Sequence, residues 1–256
     1  DEKNEEFELT PLDKYRVDQN LVQSRLAGRD LDDYRPVQMA MGQLPHGTVG
    51  VFHYNEMSID AECFVRKIES WLDEKIADPL EARITLNEFC LQVRFPEIYR
   101  RGLIRIRYGN PRARDLLKTW IYHLALCAVA PNNWPLTSTL IFKNTIWQFN
   151  SVAENRGHLA DLLNIFRQGL EKPLHFFPDT SLEYVRQRHI RGKSQTAALA
   201  AARRKWQRGE FARGESDDPY YDACFKMTDP LDESFEEVSR TVLEPLLTYG
   251  SEIQNN

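Results

Sequence analysis

The stretch that most limits the fold runs from Leu103 to Val129. Leu103-Ile-Arg-Ile-Arg-Tyr108 alternates with period two, the pattern of a strand with one buried face. From Arg112 the period lengthens: Leu116, Leu117, Trp120, Ile121, Leu124 and Cys127 recur as on an apolar helix, and Pro131 ends it. A strand feeding straight into an apolar helix has to bury both, which calls for layered α/β packing. More strand-like segments flank this pair. Ala82–Leu86 and Phe89–Phe95 precede it, with Pro96 as an interruption, and Leu136–Phe142 with Ile146–Phe149 predict a hairpin around Lys143-Asn144.

The rest of the chain reads as helix. Apolar spacing predicts a first helix from about Leu9 to Leu26, stopped at Gly28, and a short second one from Asp30 to Met41, stopped at Gly42. Leu44-Pro-His-Gly-Thr-Val-Gly50 reads as a turn-rich connector, followed by a long amphipathic helix over Val51–Ile76. Beyond the sheet segments, helices are expected over Val152–Leu170, Ser181–Ile190, Ser194–Gln207 and Asp232–Leu247, with Pro173–Pro178 as a turn. There is no internal repeat and no low-complexity linker. The economical reading is one α/β domain over residues 1–256: helices over residues 1–80, a sheet-containing core over residues 81–175 and further helices over residues 176–256.

The 28 aromatic residues among 256 fit a chain that buries a large core without a disulfide or metal staple. Cys63, Cys90, Cys127 and Cys224 form no C-x-x-C pair and have no histidine at zinc-finger spacing, so a reducing, cytoplasmic setting is expected. No window reaches 18 apolar residues, and the acidic start at Asp1 resembles neither a signal nor a transit peptide. Without an initiator methionine, the chain reads as a piece of something longer.

A net charge of -5 hides strong segregation. Between Tyr99 and Arg114 stand Arg100, Arg101, Arg105, Arg107, Arg112 and Arg114 with no acid. Between Arg186 and Arg208 stand Arg186, Arg188, Arg191, Lys193, Arg203, Arg204, Lys205 and Arg208, again with no acid. Asp1–Asp13 and Glu215–Glu244 are as strongly acidic. Such blocks predict one face that holds phosphate and another that repels it. The alternative is that they neutralise each other across the fold.

Familiar catalytic signatures are missing. Gly192-Lys193-Ser194 resembles the end of a phosphate-binding loop, but Gln187 stands where its first glycine belongs. There is no G-x-S-x-G, and the six histidines are scattered; His123 reads as a hydrogen-bonded core residue. A metal-dependent nuclease needs carboxylates on adjacent strands with a lysine beside the last. Asp/Glu-x-Lys occurs only at Asp1-Glu-Lys3 and Asp73-Glu-Lys75, and the strand that should carry it has Arg105 and Arg107, which would expel a divalent cation. Glu88 on the preceding strand is left as a single carboxylate. Trp120 reads as core and Trp206 as an anchor for its basic helix or a base-stacking ring. Asp217-Asp218 before Pro219 reads as a helix cap or as a contact to a basic partner.

Taken in order, Leu12-Asp-Lys-Tyr15, Leu44–Gly50, Leu116–Ala128, Pro173-Leu-His-Phe-Phe-Pro178, Lys205-Trp206 and Gly214-Glu-Ser-Asp-Asp-Pro-Tyr220 resemble the C-terminal domain of the RecC family, the gamma chain of exodeoxyribonuclease V. The resemblance covers nearly the whole chain. It implies an α/β fold of the PD-(D/E)XK nuclease type, a small mixed sheet flanked by helices with further helices at both ends. It also implies lost metal ligands, and a structural, DNA-guiding role in double-strand break repair by recombination. Magnesium and ATP would be used by the partner subunits RecB and RecD, not by this domain.

No catalytic or metal-binding residue is assigned. Candidate DNA contacts are Tyr99, Arg100, Arg101, Arg105, Arg107, Arg112, Arg114, Arg203, Arg204 and Lys205, on double-stranded ends, forks or single strands. Phe95–Arg101, between two strands, is the candidate for a strand-separating apolar tip, against an ordinary hairpin packed on the core. Two other readings compete: an active magnesium nuclease using Glu62 with Glu88, and a protein-docking domain whose arginines face an acidic partner.

Overall fold

The computed structural model describes residues 9–77, 79–207, 209 and 213–253. Arg208 and the first eight residues of the acidic block at the start of the chain lie outside them. The chain divides into two compact units.

The smaller unit takes the chain up to Glu74 together with Ile106–Asn110 and Ile141–Asn144. Its helices are α1 (Pro11–Leu26), α2 (Leu31–Ala40) and α3 (Gly47–Glu69). Thr10 and Asp30 cap the first two by accepting backbone N–H bonds, with Pro11 in the first turn of α1. Val17, Leu21, Tyr54, Phe64 and Ile68 form the core, and the Tyr54 hydroxyl donates to the Leu31 carbonyl at 2.5 Å. The third helix starts before Val51 and ends before Ile76, because Gly47–Gly50 already forms its first turn. At Gly50 a methyl group would collide with the Pro45 carbonyl, so this turn needs glycine. At the far end, Lys75 has left the helix to pair with Tyr99.

The larger unit comprises Lys75–Arg105, Pro111–Leu140 and Thr145–Asn256. Strands β1 (Lys75–Ala77) and β4 (Ile98–Tyr99) pair antiparallel, as do β2 (Leu80–Leu86) and β3 (Phe89–Phe95). The second pair turns at Asn87-Glu88, where Asn87 has φ 51°. Glu88 therefore sits on a turn, not on a strand, and its carboxylate pairs with Arg167.

The main sheet has the order β5-β6-β7-β8, from Leu103–Arg107, Ser138–Phe142, Ile146–Phe149 and Gly250–Ile253. Leu103 N–H donates to Thr137 O, and Lys143 N–H to Gly109 O. The offset is the same at both ends, as parallel strands require. α4 (Ala113–Val129) is the crossover between them, whereas β7 and β8 run antiparallel. The predicted mixed sheet interrupted by one helix is thus present. β8 is an addition to the elements predicted, since Gly250-Ser-Glu-Ile253 carries no alternation of its own and takes its conformation from pairing with β7.

The remaining helices are α5 (Asn155–Glu171), α6 (Pro178–Val185), α7 (Gln195–Trp206), α8 (Pro219–Phe225) and α9 (Glu233–Tyr249). Where the sequence predicts helix up to Ile190, Arg186–Ile190 forms a π turn closed by Arg191 N–H on Arg186 O. Asp218 caps α8 by accepting from Tyr220 N–H, as the Asp-Asp-Pro reading allowed.

Trp120, 1% exposed, is the centre of the core. Its ring stacks on His123 and Tyr249 and tilts against Phe149 and His158. His123 lies beneath it, 2.8 Å from the Asn150 carbonyl and 2.9 Å from the Ser138 hydroxyl. A carbonyl only accepts, so Nε2 carries the proton and Nδ1 accepts from Ser138. Burial lowers the His123 pKa from 6.5 to about 4, against the opposing hydrogen bond to Asn150.

The unfolded chain binds the His123 proton more tightly, so the stability it contributes is complete above about pH 6.5 and falls as pH drops toward 4, by up to about 3 kcal/mol. Urea titrations across that range should show the loss, and His123→Gln should flatten it. Gly102 has φ +109°, and a methyl group there would strike the Thr137 carbonyl. Gly102→Ala should destabilise by about 2–4 kcal/mol, read as a drop in Tm.

Candidate nucleic-acid interface

The first basic block is carried by β4, β5 and α4. Backbone bonds in both directions between Tyr99 and Gly102 close a two-residue turn, so Arg100 and Arg101 are forced to its exposed tip. The residues before the tip face inward. Phe95 and Ile98 are fully buried and Tyr99 is 7% exposed, its hydroxyl donating to Glu97, which also takes Lys75 at 2.5 Å. These two bonds hold the Glu97 carboxyl below the usual range. Phe95–Arg101 therefore presents arginines and no apolar tip. Tyr99 belongs to the packing: its side chain is buried and its hydroxyl is bound to Glu97.

Arg105 follows on β5 with its guanidinium 4.6 Å from the centre of the Tyr122 ring. The edge of the same ring meets Phe95, 6.1 Å between centres. Tyr122 is thus wedged from one side and fixes a cation on another. On α4, Arg114, Lys118 and Tyr122 fall at intervals of four residues, so they lie along one face for about 12 Å. Arg114 and Lys118 are exposed, and with Arg105 they make no ion pair among the described residues. The opposite face of the helix buries Leu116, Trp120 and Leu124, which orients the basic stripe outward. Lys118 and Tyr122 are absent from the sequence candidates. Their signal is the four-residue spacing from Arg114 inside a helix that the sequence predicts. Arg107 is half-buried and belongs to the smaller unit.

The second block divides. Arg203 is tied to Asp229 at 2.5 Å, which lowers the Asp229 pKa. Arg204 and Lys205 are exposed at the end of α7, and Trp206 anchors that end: it is 9% exposed and packs against Phe177 at 4.2 Å and Tyr221 at 6.0 Å. Arg188, Arg191 and Lys193 surround the π turn that precedes α7. Arg112 from the first block comes to the same cleft as Arg186 and Lys205 from the second.

The two carboxylates of the nuclease alternative each stand beside an arginine. Glu62 belongs to the smaller unit, beside Arg66, and Glu88 to the larger, on Arg167. Among the described residues no three His, Cys, Asp or Glu side chains stand close enough to share a metal ion, and no helix is long and apolar enough to cross a membrane.

The RecC C-terminal domain family matches residues 1–189. The RecBCD enzyme subunit RecC of Escherichia coli (strain K12) is 23% identical over an alignment covering 96% of this chain and 22% of that protein. The chain thus spans about a fifth of the length of the relative it matches. The family match ends at His189, yet the fold it enters is completed later, since β8 pairs with β7 and Tyr249 stacks on Trp120. With about three quarters of its residues inside the family match, this chain belongs to the RecC C-terminal domain family.

Proposed function

We propose that the larger unit is a nuclease-like domain without catalytic residues, which guides DNA strands inside a helicase–nuclease complex. The observation that carries this reading is the stripe of Arg105 on Tyr122, Lys118 and Arg114, continued by Arg112 and, at the hairpin tip, by Arg100 and Arg101. Cations held by a helix face and an aromatic ring, with no acid bound to Arg105, Arg114 or Lys118 among the described residues, suit phosphate contacts that position a strand without reading its sequence. The parallel β5–α4–β6 unit with its following hairpin supports the PD-(D/E)XK-like assignment. The arginines on β5, where a nuclease would carry its carboxylate and lysine, support the loss of metal chemistry.

By kinship with the RecC subunit of the RecBCD enzyme, the partners are RecB and RecD, the setting is the bacterial cytoplasm, and the process is recombinational repair of double-strand breaks. Magnesium and ATP are then used by those partners. The docking alternative assigns the arginines to an acidic protein surface instead.

Anisotropy of forked DNA across a salt series separates the two. Replacing Arg105, Arg114 and Lys118 by alanine should lower the slope of log affinity against log salt by about 2–3, one step per lost phosphate contact. An unchanged slope together with weakened binding of partner subunits would favour docking. Tyr122→Leu, which keeps all three charges, should weaken binding less than the triple replacement.

A further inference from the structure

A cleft of about 480 Å³ in the larger unit joins the two basic blocks. Arg112 comes to it from the start of α4, Arg186 from the π turn, Lys205 from the end of α7 and Arg213 from the segment after it. None of these four side chains makes a hydrogen bond or ion pair among the described residues. Leu116, Leu182 and Trp147 supply apolar lining beneath them.

The carboxylates of the cleft are differently placed. Asp179 accepts the Ala113 N–H at 2.9 Å, at the N-terminus of α4. Glu215 accepts the Asp179 and Thr180 N–H groups at 3.2 and 2.7 Å, at the N-terminus of α6. Glu183 accepts from the Gln187 amide at 2.7 Å, and Glu252 is exposed at the rim. Two of the four acids are thus satisfied by helix ends, each worth about half a positive charge, while the four cations keep their donors unused. Four cations and two helix ends outweigh four carboxylates, leaving the cleft about one charge positive.

We infer that this cleft holds a terminal phosphate, with the attached sugar and base against the apolar lining. Its volume is that of a small-ligand site, and its lining sets a ring of charged groups around an apolar floor of Leu116, Leu182 and Trp147. A monoester at a strand end carries more charge than an internal diester and makes stronger bonds to guanidinium groups. The inference rests on the DNA-guiding reading and adds to it: the stripe tracks the backbone of a strand, and the cleft receives its end. The shared chemistry is a phosphate monoester, which a free mononucleotide also offers.

The test uses the 256-residue chain and a labelled single-stranded oligonucleotide phosphorylated at either end or at neither. A terminal phosphate should tighten binding about tenfold. Arg186→Ala with Arg213→Ala should abolish that gain, bringing phosphorylated and unphosphorylated oligonucleotides to the same affinity. Lys118→Ala should weaken all oligonucleotides alike and preserve the gain. Competition by a mononucleotide that removes only the gain supports a phosphate site whose source is either a strand end or a free nucleotide; failure of the mononucleotide to compete, with the gain intact, assigns it to strand ends. Equal affinity for phosphorylated and unphosphorylated oligonucleotides overturns the cleft alone. No binding of any oligonucleotide overturns the DNA-guiding reading with it. Circular dichroism of each variant establishes that a lost gain is not lost folding.

Discussion

Burial of Trp120 is the interaction on which the larger unit depends. Its ring meets Phe149 on β7, Tyr249 at the end of α9, His158 on α5 and His123 on its own helix, so one side chain joins four elements. Beneath it, the neutral His123 closes two hydrogen bonds that would otherwise be orphaned in the core. This joint fixes the rotation of α4 about its axis. With Trp120 inward, Arg114 and Lys118 must point outward, and Tyr122 is placed to support Arg105. The basic stripe is therefore a consequence of core packing and needs no local scaffold of its own.

Charge segregation in the sequence is only partly segregation in space. The block around Arg105 remains uncompensated at Arg105, Arg114 and Lys118, whereas Arg203 is held by Asp229 from the acidic block. Glu215, from that same block, is drawn onto a helix N-terminus, and burial raises its pKa even as the Thr180 and Asp179 bonds oppose the shift. Neutralisation across the fold and an open basic face are thus both present, each in its own place. Acids absorbed by backbone donors leave nearby cations without partners, which is how the cleft at Arg112 and Lys205 arises.

The periodic elements are legible in the sequence because burial imposes the period directly. α4, β5 and the β2–β3 ribbon all fall where their apolar spacing places them. What escapes is decided by partners distant in the chain. Gly250–Ile253 is extended because β7 offers it an edge, and Lys75, expected within the long helix, is instead paired with Tyr99 on β4. Tyr99 reads as a surface aromatic among arginines, but its two-residue distance from Glu97 and the pairing of β4 turn it inward. Lys118 is hidden by the apolar character of the surrounding run, in which only the angular position on the helix separates a surface lysine from its buried neighbours.

The central claim is that the outward face of α4 lies along DNA and that the DNA is left uncut. A photoreactive side chain at position 118, with a second at the exposed Leu170 on α5 as a comparison, tests both halves of it in one experiment on forked DNA in magnesium. The predicted result is a cross-link from position 118, none from position 170, and intact DNA on the gel. Equal cross-linking from both positions, or magnesium-dependent cleavage by the purified chain, would contradict it.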